Sequence, residues 1–394
     1  MYRLGEEEIE AIAEVIRSQK FSRGNKGDIR AVYNFEKEMR EYMGADYFFV
    51  LTSGKAALIS ALTAMGIGPG DEVIVPAYTY IATAVAVLAV GAIPVIVDVD
   101  ETLTIDPKAI EANISKYTKA IIPVHMQGMP SNMDAIMDIA KKHNLYVLED
   151  ACQAVGASYK GKMLGTIGDA GAYSFNSFKN ITAGEGGGVI TNNTTIYENA
   201  FIYHDSSGIA WLGNEMEGFD NKLFVGTEYR VSEITGAMLR VQLKRLDGIV
   251  ADLRENKKKV MDAIKDTGLK FAPSNDPEGD CGNIIPMTFD DVETAQAFLK
   301  EAGDQMDILS NMGRHIYSNW ESIMLKRGAV NPKNDPFLRP ENQGLNMNYT
   351  PDMCQKTIDL LARTVILFIN PDWTDDERQK KIDELKAAAA KVLK

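Results

Sequence analysis

One lysine carries the most chemically suggestive setting in this chain. Tyr173-Ser174-Phe175-Asn176-Ser177-Phe178-Lys179 runs as a half-buried strand into a loop, and Gly184-Glu185-Gly186-Gly187 then turns into another strand. An amine attacks a carbonyl only when neutral, and burial or a neighbouring cation favours that form. Lys179 is therefore a candidate for a covalent cofactor site. The plainer alternative is a surface lysine on a hairpin, since glycines after a strand are ordinary turn chemistry.

Upstream, the apolar strand Leu145-Tyr146-Val147-Leu148 runs into Glu149-Asp150-Ala151-Cys152-Gln153. Open α/β sheets bind ligands at the carboxyl ends of their strands. A carboxylate there can hold a proton on the pyridine nitrogen of pyridoxal 5′-phosphate (PLP), which lets the ring accept electrons from a carbanion. Asp150 is the candidate, with a helix N-cap as its alternative role. Val50-Leu51-Thr52-Ser53-Gly54-Lys55-Ala56-Ala57-Leu58 passes from strand through a Ser-Gly turn into an apolar helix, whose N-terminus offers free N–H groups to a phosphate. Ser53 is equally an N-cap. Lys55 opposes the helix dipole there, which suggests either a nearby anion or a side chain bent into water. Pro76-Ala77-Tyr78-Thr79-Tyr80-Ile81-Ala82-Thr83 supplies aromatic residues able to cover a flat ring or to fill a core.

These pieces in this order resemble the DegT/DnrJ/StrS family of sugar aminotransferases, PLP enzymes of fold type I. The likeness runs over nearly the whole chain. It includes Phe35-Glu36-Lys37, Ser53-Gly54, Pro123-Val124-His125 with Gly128, Met133-Asp134-Ala135-Ile136 and Glu149-Asp150, then Ser174 to Lys179, Gly184 to Gly187, Tyr229-Arg230-Val231-Ser232-Glu233 and Gln242-Leu243. The resemblance implies that Lys179 binds the cofactor as an imine and shuttles the proton, while Asp150 pairs with the pyridine nitrogen. Gln153 would contact the phenolic oxygen, Tyr80 would stack on the ring, and Ser174 with Ser53-Gly54-Lys55 would hold the phosphate. Lysine at 179 also matters by exclusion, because family members with histidine there dehydrate instead. Lys55 stands where the family commonly has Thr, and Glu228 where it commonly has an Asn that reaches the partner subunit's phosphate. The two changes are consistent with a compensating pair across a dimer interface, or with two side chains in solvent.

The implied reaction moves an amino group from glutamate or glutamine to a keto sugar, expected to be nucleotide-linked, or to a keto cyclitol. Other PLP chemistry on the same fold, such as elimination or aldol cleavage, is the alternative, as is a catalytically silent PLP-binding regulator. Intact Lys179 and Asp150 count against the regulator. The implied assembly is a homodimer with shared active sites.

The supporting framework is expected to be α/β. Strands and helices alternate from about residue 45 to 200, including Val73-Ile74-Val75, Pro94 to Val97 and Ala120-Ile121-Ile122, which predicts a mostly parallel sheet covered on both faces. A large PLP-binding domain over 1–247, with an N-terminal helical segment, would end in a helix from Ser232 to Leu246. A smaller α+β domain over 248–394 would hold the strand Asn283 to Met287 and helices at Val292–Leu299 and Asp376–Val392. Arg254 to Lys259 reads as the solvated face of a linking helix. The polar loop from Asn331 to Asn346 is expected to border the active site.

The 394 residues suffice for two domains, and 45% apolar with 25% charged residues is ordinary globular usage. A net charge of −13 argues against nucleic-acid binding. The first residues, Met1 to Glu8, lack an apolar signal region, and no segment is apolar for the roughly 18–20 residues of a membrane span, so a cytoplasmic protein is expected. Cys152, Cys281 and Cys354 are too scattered for a disulfide framework or zinc site, and the four histidines lack metal-ligand spacing. His204 and His315 are candidates for the substrate pocket.

Overall fold

The computed structural model describes residues 3–23, 29–206 and 222–393. The opening Met1-Tyr2 lies outside them.

Two helices come first, α1 (Glu6–Ser18) and α2 (Ala31–Met43), and the α/β alternation then begins with β1 (Tyr47–Leu51) and α3 (Gly54–Ala64). It continues through β2 (Glu72–Pro76), α4 (Ala82–Ala89), β3 (Ile93–Val97), α5 (Pro107–Asn113), β4 (Thr118–Ile121), α6 (Met133–His143) and β5 (Tyr146–Asp150). A small hairpin, β6 (Ser158–Tyr159) and β7 (Lys162–Met163), precedes β8 (Ala170–Ser174), β9 (Gly187–Thr191) and α7 (Thr194–His204). The strands are short, β-branched and buried on both faces, as a sheet covered by helices requires.

The seven-stranded sheet has the order β1-β9-β8-β5-β4-β2-β3. Only β9 runs against its neighbours, so the carboxyl ends of the other six strands and the start of β9 share one edge. The helices α3 and α4 cover one face, where Ala57, Leu58 and Leu62 are fully buried, while α2 and α6 cover the other through Phe35, Met39 and Ile136.

A single helix, α8 (Glu233–Ile264), runs through positions 247 and 248 and merges the expected Ser232–Leu246 and Arg254–Lys259 segments. Gly248 alone does not stop a helix whose buried stripe, Leu239, Leu246, Ile249, Leu253 and Val260, continues across it. Beyond it, β10 (Ile284–Thr288), α9 (Val292–Glu301), β11 (Met306–Ile308), α10 (Glu321–Met324), α11 (Gln355–Ala362), β12 (Thr364–Phe368) and α12 (Asp375–Val392) follow. Their strands form an antiparallel sheet of order β10-β12-β11. Among the described residues no helix is long and apolar enough to cross a membrane.

Candidate active site

Asp150, Ser174 and the Ser53-Gly54 turn sit at the shared sheet edge because of where their strands stop. Asp150 ends β5 and pairs in register with Ala172 of β8, and Ser174 ends β8 opposite Gly187. Leu51, also opposite Gly187, brings Ser53-Gly54 beside them. The backbones approach so closely that a Cβ at Gly54 would lie 2.6 Å from Cys152 Sγ and 3.0 Å from Ser174 Cβ, while one at Gly187 would collide with the Ser53 carbonyl. Glycine is required at both positions by contact alone.

The loop between β8 and β9 doubles back tightly, with Phe175 N–H donating to the Gly186 carbonyl and Ser177 N–H to that of Gly184. Lys179 leaves this loop toward Asp150 and Cys152. Burial pushes its amine below the ordinary lysine value, and the Asp150 carboxylate pulls it partly back. Burial also drives the Cys152 thiol well up, so it stays protonated.

Asp150 is only 5% exposed. Its Oδ2 accepts from Thr83 Oγ1 at 2.8 Å and its Oδ1 from Cys152 N–H at 3.2 Å. Behind it, Glu149 is fully buried and accepts from Gly165, Ile167 and Gly168 N–H at 2.6–2.8 Å and from His125 Nε2 at 3.0 Å. Ser131 N–H donates to His125 Nδ1, so the imidazole proton must lie on Nε2, facing Glu149. This network locks the backbone on either side of Asp150.

The remaining candidates vary in placement. Ser53 caps α3, its Oγ accepting from Ala56 N–H at 3.1 Å, and Ser174 Oγ accepts from Asn176 N–H at 3.4 Å. Gln153 Oε1 accepts from the backbone of Gln127, a residue in the left-handed region at φ 55°. Tyr80 is 37% exposed, its ring centroid 5.3 Å from that of His315 and 5.4 Å from the Arg314 guanidinium carbon. Lys55 is exposed and has no ion pair among the described residues, whereas Glu228 pairs with Arg230 at 2.9 Å. Within one chain the two do not meet.

A cavity of about 260 Å³ opens between this edge and the C-terminal sheet, with Lys179, Gln153, Gln127, Asn180, Asn283 and His315 on its wall. His315 lines this cavity. Burial holds its imidazole below the usual histidine value, and Lys179 and Arg314 press in the same direction. His204 is not among the described residues that line the cavity. It is buried against the rings of Phe49 and Phe201. The Asn331–Asn346 segment is also elsewhere, because Asn342 bonds to Gly70 and Gly91 and ties that segment to the turns flanking β2 and β3. Thr83, Gln127 and Asn283 also belong to this site. Nothing in the spacing of Pro76 to Thr83 shows that Thr83 faces Asp150.

This architecture is the fold type I α/β arrangement. A solved aminotransferase from Psychrobacter cryohalolentis superposes with a TM-score of 0.81 at 29% identity, covering 99% of this chain and 98% of that one. Residues 2–319 match the DegT/DnrJ/EryC1/StrS aminotransferase family, and the chain belongs to it. Pyridoxal 5′-phosphate is the cofactor of that family. Among its relatives are the GDP-perosamine synthase of Caulobacter vibrioides, 43% identical over 55% of this chain and 57% of that protein, and the L-glutamine:2-deoxy-scyllo-inosose aminotransferase of Streptomyces lividus, 35% identical over 68% of this chain and 65% of that one. In both cases the match spans less than two thirds of the relative's own length.

Proposed function

We propose that the protein is a PLP-dependent aminotransferase that moves an amino group from glutamate or glutamine to a keto sugar, nucleotide-linked, or to a keto cyclitol. The observation that carries this reading is a desolvated amine, Lys179, beside a buried carboxylate, Asp150, at the edge of the sheet where Gly54 and Gly187 leave the backbone bare. These features fit the cofactor. Lys179 would bind it covalently, Asp150 would hold the ring nitrogen's proton, and the capped start of α3 with Ser174 would receive the phosphate. Tyr80 supplies an aromatic face, and Gln153, its Oε1 already engaged, has its NH₂ left to donate to the phenolic oxygen.

PLP, when bound, supplies an electron sink for a carbon next to the reacting nitrogen. The chain's own part is proton handling. Burial keeps the Lys179 amine neutral more readily, so it can take a proton from the donor's α-carbon and return it. Help of this type is worth roughly 10²–10⁴-fold. Thr83 orients the Asp150 carboxylate, and the Glu149–His125 network fixes the strand end that carries it.

The same reading includes a homodimer with Lys55 and Glu228 at a shared site, a cytoplasmic location, and a division into 1–247 and 248–394 about α8. Support for the acceptor class is the pair of relatives named for a GDP-linked sugar and for an inosose. The deciding test is whether the purified, PLP-loaded protein releases 2-oxoglutarate or the glutamine-derived keto acid and turns into the pyridoxamine form. Elimination or aldol cleavage would leave the cofactor in its original form, and a silent binder would do neither.

A further inference from the structure

We propose that Asn180 and Asn283 read free hydroxyl groups on the keto acceptor, so that the enzyme prefers a ring hydroxylated beside its carbonyl to the corresponding deoxy ring. This inference rests on the aminotransferase reading and deepens it by specifying the acceptor.

The argument begins with which ends of the amides are already engaged. Asn180 Nδ2 donates to the Val155 carbonyl at 3.1 Å and lies 3.3 Å from Cys281 Sγ. Asn283 Nδ2 donates to the Gln153 carbonyl at 3.5 Å. A carbonyl accepts and never donates, so both amides turn their nitrogen to the protein, Asn180 through a bond of ordinary length and Asn283 through one at the limit of hydrogen-bond length. Their Oδ1 atoms accept no hydrogen bond from any described residue, and both residues line the cavity. The facing His315 is fixed in the same way. Its Nδ1 lies 3.1 Å from the Met312 carbonyl, which places the proton there and leaves Nε2 a bare lone pair.

The wall thus presents neutral acceptors, and Lys179 is the only charged residue among those lining the cavity. An acceptor-only group would meet these two oxygens unfavourably, so the donor's carboxylates and any phosphate of the acceptor would sit elsewhere in the site. A ring hydroxyl, by contrast, can donate to them. Apart from Gln127, the remainder of the wall is apolar, with Met312, Phe368 and Ile369 able to cover the C–H face of a ring. Sites built to bond a substrate hydroxyl discriminate strongly against analogues lacking it, because the buried polar group is then left unpaired.

The test uses the pyridoxamine form and two ketones, scyllo-inosose and 2-deoxy-scyllo-inosose, following return to the pyridoxal form by absorbance. The ratio of the two second-order rate constants is taken within each protein, which cancels any general loss. The unmodified protein should favour the hydroxylated ketone by roughly tenfold or more. Asn283→Leu and Asn180→Leu should each pull that ratio toward unity. Asn283→Asp, which keeps an acceptor oxygen but loses the anchoring N–H, should retain most of the preference. A ratio of unity in the unmodified protein, an unchanged ratio in the Leu variants, or failure of both ketones would overturn the inference. Failure to release a keto acid from the amino donor would instead overturn the aminotransferase reading beneath it.

Discussion

The sharpest stability consequence concerns His204, which the fold removes from the pocket and seals behind aromatic rings. Its Nδ1 sits 2.5 Å from the Phe201 carbonyl, three residues back in α7, and the rings of Phe201 and Phe49 lie 4.5 and 4.8 Å away. Burial, with Arg23 and then Arg230 adding repulsion, lowers the imidazole from 6.5 to about 3. A base whose folded value is depressed stays neutral in the native state while the unfolded chain takes up a proton. Between those two values the unfolded state binds more protons, so stability rises with pH and is lost on acidification. Integrating from about pH 7.5 down to about pH 5 gives a loss of roughly 2 kcal/mol from this one group. Burial also raises the Asp205 carboxyl above its usual value, so the measurement must be a difference. Urea unfolding of the parent and of His204→Phe at both pH values supplies it. The variant lacks the proton-linked loss, and its stability should fall by about 2 kcal/mol less over the interval. Equal losses in the two proteins would show that the imidazole is hydrated or charged in the native state, and the argument would fail.

The remaining expectations address the site. Borohydride reduction of the PLP-loaded protein should fix the cofactor to Lys179, and a mass-spectrometric adduct on any other lysine would displace that residue. Asp150→Asn should fold and bind PLP yet turn over roughly 10²–10³-fold more slowly, since the amide fills the volume without the charge; near-normal turnover would remove Asp150 as the electronic partner. Thr83→Val deletes the 2.8 Å bond to Asp150, and with bonds to charged groups worth roughly 1.5–3 kcal/mol the rate should drop by about tenfold or more. Lys55→Thr should weaken PLP retention, Glu228→Asn should do less harm, and the double variant should recover much of the loss. Strictly additive effects on PLP dissociation at two salt concentrations would show that the two residues act independently.

How legible these features were depended on how local their causes are. The alternation of short buried strands with helices is written in adjacent residues, so β2, β3, β5 and β10 lie within a residue or two of where periodicity places them. Asp150 and Lys179 were readable for the same reason: each ends or follows a strand, and strand ends at one sheet edge converge whatever the intervening chain does. The extension of α8 past Leu246 was not legible, because its continuing stripe is buried by segments far away in sequence, among them the residues of α12. Partner choice was least legible of all. Ser53 meets its nearest amide, as its type suggests, but Thr83 meets a carboxylate 67 positions away and Asn283 a carbonyl 130 positions away. Those long-range bonds decide which polar atoms remain free at the cavity. The lysine proposed to do the chemistry is therefore visible in the sequence, while the surface that would select its acceptor appears only when Asn180 and Asn283, 103 positions apart by their numbers, are brought to one wall.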